Sequence, residues 1–128
     1  IVEGEAQLDN ERSTIAAVYH NRLKKNMRLQ ADPTVQYALP GKPRRLFYKD
    51  YQYESPYNTY RHNGLPPGPI SSPGKASIEA VLYPANVDYI YFVARGDGSH
   101  VFSRTSQEHE EAKQKTASAR RKTWKKAN

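Results

Sequence analysis

The sequence has 128 residues, 37% of them hydrophobic, with a mean hydropathy of −0.92 and a formal net charge of +7 at pH 7. That length suits one compact domain with a modest core, and ten Tyr and three Phe argue against wholesale disorder. There is no Cys, which excludes disulfides and thiolate metal sites, and no run nears the roughly 20 apolar residues of a membrane span.

Ile1 to Leu8 is rich in helix formers around Gly4 and predicts a helical segment. Its abrupt apolar start without an initiator Met reads as a piece of a longer chain, with any membrane anchor upstream. Ile15, Val18, Tyr19 and Leu23 recur at helical spacing, predicting a helix over roughly residues 10 to 25 with Asp9 as N-cap. From Asp32 to Pro73 the chain carries eight of its nine prolines with Gly41, Gly64 and Gly68, which predicts a long ordered loop region. Within it, Leu65-Pro66-Pro67 reads as a stiff structural wall.

Pro73-Gly74 opens a helix over Lys75 to Leu82, closed by Pro84, with Ile78, Val81 and Leu82 as a stripe expected to be buried. Asp88 to Ala94, the turn Arg95 to Ser99 and His100 to Ser103 predict a β-hairpin. Thr105-Ser106-Gln107-Glu108 has the form of a capping box and begins a terminal helix that runs into a basic tail. Helices framing a small antiparallel sheet, with long Pro-rich ordered loops, make an α+β fold. The charge is uneven: residues 111–128 hold seven Lys or Arg against the single Glu111, leaving residues 1–110 near neutral. The expected organisation is a body over 1–110 and a basic C-terminal end over 111–128 of the same domain, which does not suit a basic groove binder.

Cofactor signatures fail. Gly96-Asp97-Gly98 lies in a hairpin and lacks the third glycine of a dinucleotide fingerprint, and His109-Glu110-Glu111-Ala112-Lys113 has Lys113 where a zinc helix needs a second His. No phosphate loop or nucleophile elbow occurs, so neither cofactor nor metal is expected. His20, His62, His100 and His109 read singly as structural, with His100 the first exception. Among carboxylates, Glu3 and Glu5 flank Gly4 beside Ile1 and Val2; two residues apart on a helix they point to nearly opposite faces, so one at most is central.

Ile1-Val2-Glu3-Gly4-Glu5, Asn21-Arg22-Leu23 and Met27-Arg28-Leu29-Gln30-Ala31-Asp32-Pro33-Thr34-Val35 together resemble the endolytic murein transglycosylase (YceG-like) family. Ser55 to Tyr60, Gly64 to Ile70, Pro73-Gly74, Tyr91 to Ala94, His100, Phe102 and Glu108-His109 continue that order, so the resemblance covers about residues 1 to 113. It implies a transglycosylase catalytic domain that cleaves the β-1,4 bond after N-acetylmuramic acid without water, leaving 1,6-anhydromuramic ends. The family's essential glutamate falls on Glu3, with Glu5 ranked second, and Gly4 departs from the larger residue common there.

One glutamate suffices if apolar surroundings keep it protonated and the sugar's own N-acetyl group traps the cation. Tyr57, Asn58, Thr59 and Tyr60 offer contacts to amido sugars, Gln30, Asp32 and Thr34 are candidates to hold N-acetyl groups or to position the acid, and His100 joins them. The competing structural reading makes Asp32-Pro33-Thr34 a helix cap and the tyrosines core. The resemblance also implies glycan strands as substrate, wall-synthesis enzymes as partners and an N-terminal single-pass anchor facing the wall. The rival classes are a non-catalytic peptidoglycan-binding module of the same fold and a nucleic-acid binder driven by the tail.

Overall fold

The computed structural model describes the backbone of residues 1–127 and the side chains of residues 1–119. Arg120, Arg121, Lys122, Lys125 and Lys126 of the basic tail therefore have side chains outside the described residues. In chain order the elements are α1 (Val2–Glu5), a 3-10 turn (Asp9–Glu11), α2 (Arg12–Lys24), α3 (Asp32–Ala38), a second 3-10 turn (Tyr48–Gln52), α4 (Lys75–Leu82), β1 (Tyr91–Ala94), β2 (His100–Ser103) and α5 (Ser106–Ala127). This is an α+β fold with one two-stranded antiparallel sheet.

The core forms around α2. Ile15, Ala16, Ala17, Val18 and Tyr19 are consecutive and all buried, so this helix is covered on several faces rather than along one stripe. Val2 on α1, Ala6 just after it, Leu29 and Ala31 before α3, and Ala80 on α4 form one cluster with Ile15, Ala16 and Tyr19. Asp9 does not cap α2: it lies in the preceding 3-10 turn and its Oδ1 accepts from Arg12 Nε at 3.0 Å. The segment before α2 is helical only over Val2–Glu5, because the backbone turns extended at Ala6 and carries the chain back towards α2.

Helix α4 has the predicted span and a different buried face. Ser77 and Ala80 are buried, while Ile78, Val81 and Leu82 are 48%, 43% and 65% exposed. Small side chains three residues apart let α4 lie close to α2, and the larger ones are turned outwards. In the hairpin, Tyr91 pairs with Ser103 and Ala94 with His100, and Gly96 and Gly98 take the left-handed backbone its turn requires. At the start of α5, Glu108 N–H donates to Thr105 Oγ1 at 3.1 Å, and Glu108 accepts from the N–H of Arg104, one residue earlier than the standard box. Ala112 and Thr116 are buried, so the first turns of α5 belong to the packed body.

The proline-rich segment is organised by buried polar side chains. Asp50, 4% exposed, accepts from both Nη atoms of Arg44 at 2.8 and 3.0 Å and from Phe47 N–H at 2.6 Å. Asn58, wholly buried, donates to the Tyr51 and Tyr53 carbonyls at 3.1 and 2.7 Å. Backbone groups that regular structure leaves unpaired are satisfied this way.

Candidate active site

Helix α1 sends its two glutamates to different environments. Glu3 accepts from Ser77 Oγ and, at 3.2 Å, from Arg12 Nη1, with its side chain 35% exposed. The Ser77 hydroxyl above all, with the Gly74 backbone N–H and the Arg12 guanidinium, holds its carboxyl below the usual range despite partial desolvation. Glu3 is thus an ionised carboxylate tying α1 to α2 and α4.

Glu5 has the opposite setting. Its Oε1 accepts from Tyr19 Oη at 3.3 Å, and burial first, then the nearby Asp32 carboxylate, push its pKa up to about 7. The Tyr19 hydroxyl and the Asp32 backbone N–H oppose that rise without cancelling it. Asp32 is fixed by two phenols: Tyr60 Oη donates to Oδ1 at 2.5 Å and Tyr51 Oη to Oδ2 at 3.2 Å. The phenol pKa of Tyr51 is pushed up to about 12 by burial and by Asp32, and that of Tyr60 is raised by the same two causes, so both remain donors.

Glu5, Asp32, Tyr19, Tyr51 and Tyr60 line a cleft of about 520 Å³, together with Gln30, Arg22, Tyr91, Phe92, His100, His109 and Lys113. Residues from α1, α2, the α3 start, the tyrosine loop, the hairpin and α5 converge here. Gln30 is exposed and has left-handed backbone at φ 48°, held by its N–H donating to the Thr59 carbonyl at 3.2 Å. His100 is 7% exposed and fixed by Glu11, with Nδ1 2.9 Å from Oε1 and the backbone N–H donating to Oε2 at 3.1 Å.

Of the residues singled out in the sequence, Gln30, Asp32, Tyr60 and His100 are brought together in the cleft. Thr34, Asn58 and Thr59 are not available to a ligand. They are 0%, 0% and 1% exposed, and their side-chain hydrogen bonds are used internally, Thr34 Oγ1 donating to the Ala31 carbonyl at 2.7 Å and lying 2.8 Å from Thr59 Oγ1. Tyr57 packs against Tyr37 with ring centroids 4.8 Å apart and planes tilted by 51°, and does not line this cleft. Leu65 and Pro66 wall a neighbouring apolar trough of about 450 Å³ that shares Tyr19 and Leu29 with the cleft.

Tyr19, Arg22, Tyr51 and Tyr91 were not anticipated. The signal for Tyr19 and Arg22 was their spacing three apart on α2; Tyr51 carried none, since its approach to Asp32 depends on the loop fold.

The YceG-like family profile matches residues 1–115. The chain is similar to an endolytic murein transglycosylase of Bacillus subtilis (strain 168), 48% identical over 120 residues that cover 94% of this chain and 33% of that protein. It is also similar to an endolytic murein transglycosylase of Streptococcus pneumoniae serotype 2 (strain D39), 34% identical over 113 residues, 84% of this chain and 20% of that one. A crystal structure of a putative YceG-like protein from Listeria monocytogenes superposes with a TM-score of 0.80 at 52% identity, covering 86% of this chain and 35% of that one. The chain thus spans a third or less of the curated relatives it matches. With a profile running from Ile1 into α5 and a relative this similar in sequence and fold, the chain belongs to the YceG-like family.

Proposed function

We propose that this chain carries the reacting groups of a peptidoglycan lytic transglycosylase, with Glu5 rather than Glu3 as the single acid/base. The observation that carries this reading is a half-buried carboxyl, bonded to Tyr19 and with a pKa of about 7, at the wall of a polar, tyrosine-lined cleft. The names of the relatives supply the substrate class, murein glycan strands.

Protonated Glu5 gives its proton to the glycosidic oxygen as the C1–O4 bond breaks, and the N-acetyl oxygen of the muramoyl residue closes onto C1. The Glu5 carboxylate then takes the proton from the sugar's 6-hydroxyl. O6 bonds to C1 as the N-acetyl oxygen leaves, giving the 1,6-anhydro end and restoring the Glu5 proton. No water is consumed, and the rings of Tyr19, Tyr51, Tyr60 and Phe92 around the cleft favour that outcome by limiting water near C1. Asp32, anchored by two phenols, keeps Glu5 protonated until the proton is needed. Glu3, ion-paired and with a lowered pKa, is a poor proton donor at neutral pH and acts by positioning α1. Consistent with the substrate, we place the activity on the wall side of the cytoplasmic membrane, beside wall-synthesis enzymes, in a longer anchored protein.

The test is turnover of peptide-free glycan strands by the full-length protein, read by mass spectrometry for anhydromuramic ends. Glu5→Gln is expected to lower the rate by roughly 10²- to 10⁴-fold, the usual contribution of a general acid/base, with Glu3→Gln losing less than about tenfold. A dead Glu3→Gln beside an active Glu5→Gln would return the role to Glu3. Strand binding with no new ends in the wild-type protein would identify a binding module.

A further inference from the structure

The cleft contains a cation for which the reaction above has no use. Arg22 is 7% exposed, its Nε donates to the Ile90 carbonyl at 2.7 Å, its Nη1 donates to the Arg28 carbonyl at 2.8 Å, and its guanidinium lies 5.0 Å from the Tyr91 ring centroid. Among the described residues no carboxylate forms an ion pair with it. Its Nη2 takes no partner there and, unlike Nδ1 of His109, is not sealed from solvent. A buried guanidinium compensated only by carbonyl dipoles and a ring is expensive to hold, and an arriving anion would offset that expense.

A second cation faces the same cleft. Lys113 on α5 is 45% exposed in its side chain and is paired only with its surface neighbour Glu110 at 2.7 Å. His109 stacks on Tyr91 with centroids 4.8 Å apart, Arg22 lies over the same Tyr91 ring, and Lys113 follows His109 by one turn of α5, so the two cations flank one aromatic pair, with the Glu110 carboxylate beside Lys113.

Both cations share the cleft with the acid. Tyr19, whose hydroxyl donates to Glu5, precedes Arg22 by three residues on α2, so the two side chains leave the same face of that helix. A sugar ring with its anomeric carbon at Glu5 carries a C3 substituent that projects beyond the ring. In a muramoyl residue that substituent is the lactyl ether, which ends in a carboxyl group or in the stem peptide joined to it.

We propose that Arg22 and Lys113 form an anion subsite of the cleft that seats a carboxylate carried by the lactyl arm of the muramoyl unit. This rests on the murein reading given above and deepens it: the site selects muramoyl sugars by their charge as well as by their N-acetyl group. The carboxylate comes either from a free lactyl group or from the first residues of a stem peptide.

The experiment measures binding of three murein tetrasaccharides to the full-length protein by titration calorimetry, with anhydro-product formation followed separately. One tetrasaccharide has free lactyl carboxyls, one has them as methyl esters, and one carries L-alanyl-D-isoglutamine on them. The free acid is expected to bind at least about tenfold more tightly than the ester, a difference that shrinks at high salt. If the peptide-bearing form also outbinds the ester, the stem carboxylate reaches the subsite; if it binds like the ester, the lactyl carboxylate alone does. Lys113→Glu, a surface change that leaves the Arg22 carbonyl bonds intact, should reduce the preference for charge by threefold or more, and Arg22→Gln should abolish it.

Equal affinity for acid and ester in the wild-type protein overturns the proposal, as does an undiminished preference in Lys113→Glu. A charge preference without anhydro ends from any strand would instead count against the transglycosylase reading and leave the subsite standing.

Discussion

Glu5 ionises at about pH 7 because burial opposes its charge and Asp32 repels it, with the Tyr19 hydroxyl too weak a counterweight. With Glu5 in the proposed role, the rate of strand cleavage should therefore carry a basic limb near pH 7, above which Glu5 loses its proton. Replacing Asp32 by Asn removes the repelling charge, makes the Glu5 proton easier to lose, and should move that limb to lower pH, by roughly one pH unit. Profiles of kcat/KM against pH for wild type and Asp32→Asn test this, and an unmoved limb would detach Asp32 from the acid. At this scale the sequence indicated that Glu3 and Glu5 face apart, since two positions on a helix differ by about 200°. Which glutamate is sheltered was not legible, because Ser77 and Arg12 on one side and Tyr19 and Asp32 on the other arrive from distant segments.

Among the α-helices, α1 is the shortest, at four residues. A Cβ on Gly4 would stand 2.9 Å from Cβ and Cγ of Pro33, a rigid ring at the start of α3, so this residue is small because α1 and α3 touch there. Gly4→Ala gains up to about 1 kcal/mol of helix propensity yet overpacks that contact by about 1–3 kcal/mol. A net loss of about 1 kcal/mol in urea unfolding, with activity reduced through a displaced Glu5, is expected; a variant more stable than wild type would show that the contact yields. The glycine at position 4 thus has a local cause that only tertiary packing reveals. Helix α4 makes the same point: its span was legible from Pro73-Gly74 and Pro84, but its buried face was not. Proximity to α2 selects Ser77 and Ala80 over the larger Ile78, Val81 and Leu82.

For the whole molecule, an acid whose folded pKa lies above its unfolded value makes the fold less stable as pH rises. Between about pH 4.5 and 7 the folded chain holds the Glu5 proton more tightly than the unfolded chain does, so this residue's effect is harmless below the window and fully destabilising above it. The loss reaches up to about 3 kcal/mol, since a tenfold change in proton affinity corresponds to about 1.4 kcal/mol. Glu5→Gln should be more stable than wild type at pH 8 and indistinguishable at pH 4, measured by urea midpoints. Glu3 works in the other direction, its lowered pKa lending stability that is lost as pH falls through the acid range. Charge is also distributed by the fold: Lys113, which looks like the beginning of a basic tail, stands in the cleft because Ala112 and Thr116 pack the first turns of α5 against the hairpin.

The sequence by itself determined what depends on neighbours along the chain. Helical periodicity, the proline stops, the glycine turn and the Thr105–Glu108 cap set the helices and hairpin, and a string of irregular blocks marked the family. The tertiary structure alone decided what depends on neighbours in space. It alone raised the proton affinity of Glu5 and lowered that of Glu3, turned Thr34, Asn58 and Thr59 into internal struts, and drew Tyr51, Tyr60 and Asp32 together. The physical reason is that desolvation and charge proximity fix proton affinity, and both are properties of the packed cleft rather than of any residue type.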